Sequence, residues 1–177
     1  MEHELQRDIR LARKGHKDAF IRLVRRYEIP MYQVARAILS SDSACADAIQ
    51  NTILQAYDRI RHLGRKDSFQ SWLIRMLIHE CRRIQDERKK VIPLDSIRTQ
   101  PHDEGCAETQ ALLDAIAALD DDLRVVLNLY YHCDLSVEMI ADALRLSPDA
   151  VKARLYQARE RLALTLDKMK AGGGEHE

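Results

Sequence analysis

The chain has 177 residues, room for one ordinary domain or two small ones. With 46% hydrophobic, 32% charged and 5% aromatic residues it is globular and helix-leaning. That excludes a disordered or fibrous chain, and Arg, Asp or His interrupts every apolar run too early for a membrane span. Lys+Arg and Asp+Glu balance at 28 each, yet residues 1–100 hold 20 bases against 13 acids and residues 101–177 hold 8 against 15. The second half divides again. Residues 101–144 carry one Arg against ten acids, and residues 145–170 carry seven bases against three acids. Two separate basic blocks fit a chain that touches one polyanion twice, or ordinary solvated helix faces.

Residues 1–8 have no apolar segment of the kind a signal peptide needs, so the chain is expected in the cytoplasm. Cys45, Cys81, Cys106 and Cys133 lie 36, 25 and 27 residues apart, with no CxxC pair. They are expected to be free thiols rather than staples or a metal site.

In chain order, Ile9, Ala12, Phe20, Leu23, Val24 and Tyr27 recur at helical spacing, with a break at Gly15-His16 and Asp18 as a capping residue. Pro30 predicts a kink or restart before Met31, Val34, Ala35, Ile38 and Leu39 resume the period. The turn at residues 40–43 leads into a helix over 44–60, its inner face Ala44, Ala48, Ile49, Ile53 or Thr52, Ala56 and Ile60. A polar loop over 61–67 carries Arg61, Arg65 and Lys66. Ser68 then caps a helix bearing Phe69, Trp72, Leu73, Met76, Leu77 and Ile84. Residues 91–108, with two prolines, Gly105 and no clean period, read as a linker between two domains.

Helical periodicity returns at Thr109, and Asp120-Asp121-Asp122 caps the next helix, through Tyr130. A short helix over 136–144, a turn at Arg145-Leu146-Ser147 and a basic helix opening at Pro148 make a helix-turn-helix. Ser147 is the cap, with Pro148 at the first helical position. Ile140, Ala141 and Leu144 face Val151 and Leu155, and the outward positions include Lys152, Arg154, Arg159 and Arg161. Lys and Arg serve phosphate contact, and Arg also reads guanine edges. Residues 171–177 are too polar and glycine-rich to pack. There is no GxGxxG, Walker or HExxH sequence and no recognisable nucleophile setting, so no enzyme, cofactor, metal or small-molecule substrate is expected.

Taken in order, these segments resemble the extracytoplasmic-function group of the sigma-70 family of bacterial RNA polymerase sigma factors. Asp18-Ala19-Phe20 with Leu23 and Tyr27 resembles the family's opening helix. Residues 47–54, with Asp47, Gln50, Asn51 and Leu54, resemble the stretch that docks on the polymerase clamp helices. Ser68-Phe69, Trp72-Leu73 and Arg75-Met76 resemble the start of the promoter-melting helix, and residues 120–166 the domain that reads the −35 element.

The resemblance implies an all-α fold of two small helical domains joined by a flexible linker. Residues 1–90 would bind polymerase core and melt the −10 element, and residues 109–170 would hold the −35-reading helix-turn-helix. Partners would be polymerase core, double-stranded and melted promoter DNA, and an inhibitory anti-sigma factor. The melted strand would meet Arg61, Arg65, Lys66, Phe69, Trp72, His79, Arg82 and Arg83, with Phe69 the more exposed ring. The −35 duplex would meet Ser147, Asp149, Lys152, Arg154, Arg159 and Arg161. Asn51, His79, Asp149-Ala150 and Ala153 depart from the family pattern; Asn51 removes a charge from the clamp contact. Two other functions fit the residues less fully. One is a helix-turn-helix regulator independent of polymerase, the other a helical protein-binding adaptor.

Overall fold

The computed structural model describes residues 2–64, 68–91 and 107–172, and every regular element among them is helical. The chain divides into two compact units, one of residues 1–96 with 142–144 and one of the remainder. The expected linker residues 92–106 lie outside the described residues, as do Arg65 and Lys66. No helix among the described residues is long and apolar enough to cross a membrane.

The first unit holds α1 (Glu2–Arg13), α2 (Lys17–Ile38), α3 (Asp42–Arg59), a 3-10 turn at Ile60–His62 and α4 (Phe69–Val91). α2 packs against α1, α3 and α4, and α3 packs against α4. Leu23, Met31, Val34, Leu73, Ile74, Leu77 and Ile78 are sealed between them. Each such side chain contributes roughly 1.5–3 kcal/mol by leaving water. That burial explains a departure from expectation at Pro30, through which α2 runs unbroken. A proline inside a helix costs about 3 kcal/mol. Tyr27, Met31 and Val34, buried on one face to either side of it, offset the cost.

Asp18 does not cap α2. His16 occupies the N-cap without a side-chain bond, and Asp18 lies in the first turn. The turn before it closes through the backbone, the Gly15 N–H donating to the Ala12 carbonyl and the His16 N–H to that of Leu11. Gly15 has φ +94°, where an L side chain is strained. A β-carbon there would also stand 3.3 Å from Nη2 of Arg61. Gly15→Ala is therefore expected to lower stability by about 1–2 kcal/mol, read as a fall in the thermal midpoint.

Ser41 caps α3, its hydroxyl accepting from the Ala44 N–H at 3.2 Å. The buried face of α3 is Ala44, Cys45, Ala48, Thr52 and Ala56, small residues that bring the helix close to its neighbours. Ile49 and Ile53, expected inside, are only half-buried. Cys45, Cys81 and Cys133 are free thiols, and burial pushes Cys81 up to about 12.

The second unit holds α5 (Ala107–Ala117), α6 (Asp121–Tyr131), all of α7 (Val137–Leu144) but its last three residues, and α8 (Pro148–Gly172). α8 packs on α5 and α6, with Leu119, Leu123, Leu127 and Ala158 as its core and Ile116 and Leu162 at the edge. Ser136 caps α7 by accepting from the Met139 N–H at 3.2 Å, and Ser147 caps α8 by accepting from that of Ala150 at 3.1 Å. Between them Arg145 takes φ +55°, and the Leu146 N–H donates to the Ala141 carbonyl at 2.8 Å. This is the turn expected at 145–147. Ile140, Ala141, Val151 and Leu155 are buried on either side of it. α8 runs to Gly172, two residues into the expected tail.

Candidate functional site

In the first unit, α2 and α3 leave a groove of about 570 Å³. Ile29 and Tyr32 line it from α2, and Ala46, Ile49, Gln50, Ile53 and Leu54 from α3. Ile29 is 72% exposed and Leu54 60%, so apolar surface stands open to solvent at a concave place. At its rim the Tyr32 hydroxyl donates to Asp42 at 3.1 Å, which pushes that phenol up, and Asp42 also pairs with Arg36 at 3.4 Å. Of the four positions expected to dock on polymerase, the structure brings Gln50 and Leu54 into the groove. Asp47 is exposed on the shoulder of α3, outside the groove.

Asn51, the fourth, is half-buried and turned toward Glu80. Its amide donates to Glu80 Oε1 at 2.9 Å. Glu80 is 3% exposed and also accepts from Gln55 at 3.4 Å and from Arg83 at 2.5 and 3.2 Å. These donors, Arg83 first, hold its carboxyl below the usual range. Arg83 is thereby committed, with Glu87 at 2.6 Å as its second partner. Its side chain is still 45% exposed.

Phe69 is not the exposed ring expected. It is 3% exposed, its ring 5.5 Å from Tyr27 and 5.8 Å from Trp72. As the first residue of α4 it falls on the same helical face as Leu73 and Leu77, and the core takes it. Trp72 is half-buried over that cluster. With His79 and Arg82 it forms a stripe along α4, at i, i+7 and i+10, of which His79 is fully exposed. Arg61 is exposed on the 3-10 turn.

In the second unit, Lys152, Arg159 and Arg161 are exposed as expected and Arg154 is half-buried, and the three arginines have partners. Arg154 pairs with Asp122 at 3.5 Å, and Arg161 pairs with Asp120. Arg159 donates to the Tyr131 hydroxyl at 2.7 Å, with its guanidinium 5.4 Å from that ring. Asp120 stands at the N-cap of α6 but spends its carboxylate on Arg161 rather than on a cap. Opposite Val151, Leu155 and Ala158, the helical repeat sets Asp149, Lys152, Ala153, Tyr156, Gln157 and Glu160, all exposed. Tyr156 is 61% exposed, and Glu160 beside its hydroxyl pushes it up. The sequence reading passed over Tyr156, and over Ile29 and Tyr32. Each is a large side chain off the core period of its helix, which is the signal that could have marked them.

Among the described residues the chain is thus a two-unit, all-helical protein with exposed cations on one unit and a helix-turn-helix on the other, the architecture of a DNA-binding class. Residues 23–90 match the family described as Sigma-70 region 2, and residues 109–162 that described as Sigma-70, region 4. The chain belongs to the sigma-70 family, in the extracytoplasmic-function group of RNA polymerase sigma factors. It is 28% identical over 172 residues to "Probable RNA polymerase sigma factor RfaY" of Xanthomonas campestris, covering 90% of this chain but only 42% of that longer protein. It is 25% identical over 182 residues to the ECF sigma factor SigW of Bacillus subtilis, covering 92% of this chain and 96% of SigW. Two solved structures share the fold. CnrH in complex with the cytosolic domain of CnrY has TM-score 0.70 at 22% identity, covering 93% of this chain and 98% of that one. RpoE of Bartonella quintana with the anti-sigma factor NepR has TM-score 0.66 at 20% identity, covering 87% and 98%.

Proposed function

We propose that the chain binds RNA polymerase core and directs promoter-specific initiation of transcription, acting in the cytoplasm and without catalysis of its own. The observation that carries this is the open apolar groove between α2 and α3, at the segment that resembles the family's polymerase-docking stretch. Ile29, Tyr32, Gln50, Ile53 and Leu54 would seat a polymerase helix there. Residues 1–90 then serve as the −10 domain, with Arg61, Trp72, His79 and Arg82 offering cations and one aromatic to the melted strand. Residues 109–170 serve as the −35 domain, with α8 in the major groove. Asp149, Lys152, Tyr156 and Gln157 face the bases, and Asp149 can accept from a cytosine amine. Arg154, Arg159 and Arg161 brace the helix or reach flanking phosphates once their partners release them. An anti-sigma factor, of the kind bound to the Bartonella relative, is the expected inhibitory partner.

Run-off transcription with purified core on a library of promoter fragments tests this, against a control lacking the chain. Specific transcripts from a subset of fragments are expected; no core binding by a folded sample would overturn it. Lys152→Ala with Tyr156→Ala should abolish discrimination among −35 sequences and leave core affinity unchanged. Selection of transcribed fragments by the double variant reads this directly.

A further inference from the structure

α1 carries a basic surface that none of the contacts above uses. His3, Arg7, Arg10 and Lys14 recur at steps of four, three and four residues, which stacks them in one stripe, and all four are exposed. The opposite face, with Leu5, Ile9 and Ala12, is the one turned inward as α1 packs on α2. The stripe is about 16 Å long at the rise of a helix. Several arginines elsewhere are compensated: Arg22 holds Asp8 at 2.6 Å, and Arg83 holds Glu80 and Glu87. Among the described residues no ion pair engages Arg7, Arg10 or Lys14, although Glu4 is only three residues from Arg7.

The position of the stripe matters as much as its charge. α1 packs against the 3-10 turn at 60–62, and the Gly15 turn that ends it lies against the Arg61 guanidinium. The stripe therefore ends, at Lys14 just past α1, next to the Gly15 backbone against which Arg61 lies, and Arg61 is the first cation of the segment assigned to the −10 element. α1 also lies outside the residues matched to Sigma-70 region 2, which begin at 23.

We propose that the Arg7–Arg10–Lys14 stripe binds the phosphodiester backbone of promoter DNA and leads the strand to or from Arg61. This rests on the reading of the first unit as the −10 domain. The occupant is a polyanion because three exposed cations stacked in one stripe, none held in an ion pair, attract one. It is DNA because the track ends beside Arg61.

The test is the full chain assembled with polymerase core, comparing wild type with Arg7→Ala/Arg10→Ala/Lys14→Ala. Promoter affinity is measured over a range of salt. Three lost phosphate contacts should make the slope of log affinity against log salt shallower by about 2 for a single strand, or about 3 for a duplex. Core affinity and thermal midpoint should be unchanged, because exposed alanines are well tolerated in a helix. Arg7→Lys/Arg10→Lys, which keeps the charge, should retain the wild-type slope. An unchanged slope in the triple variant overturns the proposal and leaves the stripe a solvated face. Loss of core binding in that variant overturns it in favour of a polymerase contact. If wild-type holoenzyme itself forms no promoter complex, the −10 assignment fails, and the stripe's role fails with it.

Discussion

Ile53→Asp abolishes assembly with polymerase core while the chain stays folded. Ile53 is half-buried on the groove side of α3, so a carboxylate there reaches solvent without disturbing the sealed core. In the complex the same carboxylate would be trapped in an apolar contact without a partner. Burying an unpaired charge, together with losing an anchor side chain, is worth at least 2 kcal/mol at an interface centre, or about 30-fold in affinity. Asp47→Ala, on the shoulder outside the groove, should change affinity by less than about threefold. Fluorescence anisotropy with labelled chain and purified core separates the two variants. Equal effects would mean that the docking face is the shoulder and not the groove.

Glu80→Ala lowers the thermal midpoint of the first unit by more than about 10 °C. The substitution strips the shared acceptor from Asn51, Gln55 and Arg83 at one stroke. Breaking a buried, multiply bonded ion pair costs about 3 kcal/mol, and in a unit of this size each kcal/mol moves the midpoint by several degrees. Asn51→Asp should also destabilise, by about 2 kcal/mol, since it replaces a 2.9 Å donor with a second carboxylate. The pH dependence has a definite sign. The folded state depresses the Glu80 pKa below its ordinary 4.5, so its contribution is complete above that value. It is lost as pH falls through the depressed folded value. Wild type should therefore lose stability as pH falls below the ordinary 4.5, and Glu80→Gln should flatten that part of the profile. Differential scanning calorimetry across this range checks it.

Local signals were read well from the chain alone. Both caps of the helix-turn-helix, its turn and its apolar positions depend on residues within a few places of each other, and Ser136, Ser147, Ile140, Val151 and Leu155 behave as their spacing predicts. What escaped was decided at a distance. Nothing near Asn51 announces a partner 29 residues later, and nothing near Arg161 announces Asp120, 41 residues earlier. Phe69 looked exposed because the loop before it is polar, but Tyr27 and Trp72 supply a place for its ring. The partners of the α8 cations escaped for the same reason. A charge beside the apolar face of a helix shows no partner until the neighbouring helix, here with its acidic first turn, is known.

That acidic turn bears on how such a chain would find its promoters. With Asp120 and Asp122 pairing with Arg161 and Arg154, less of the second unit's positive charge would be free to slide along arbitrary duplex. A genome is an enormous reservoir of decoy sites, and a scarce factor that adhered to all of them would be titrated away. Such pairing would lower the unit's affinity for bulk DNA. Discrimination would then rest on short-range fit at α8, and the one-dimensional search would fall to the polymerase that carries it.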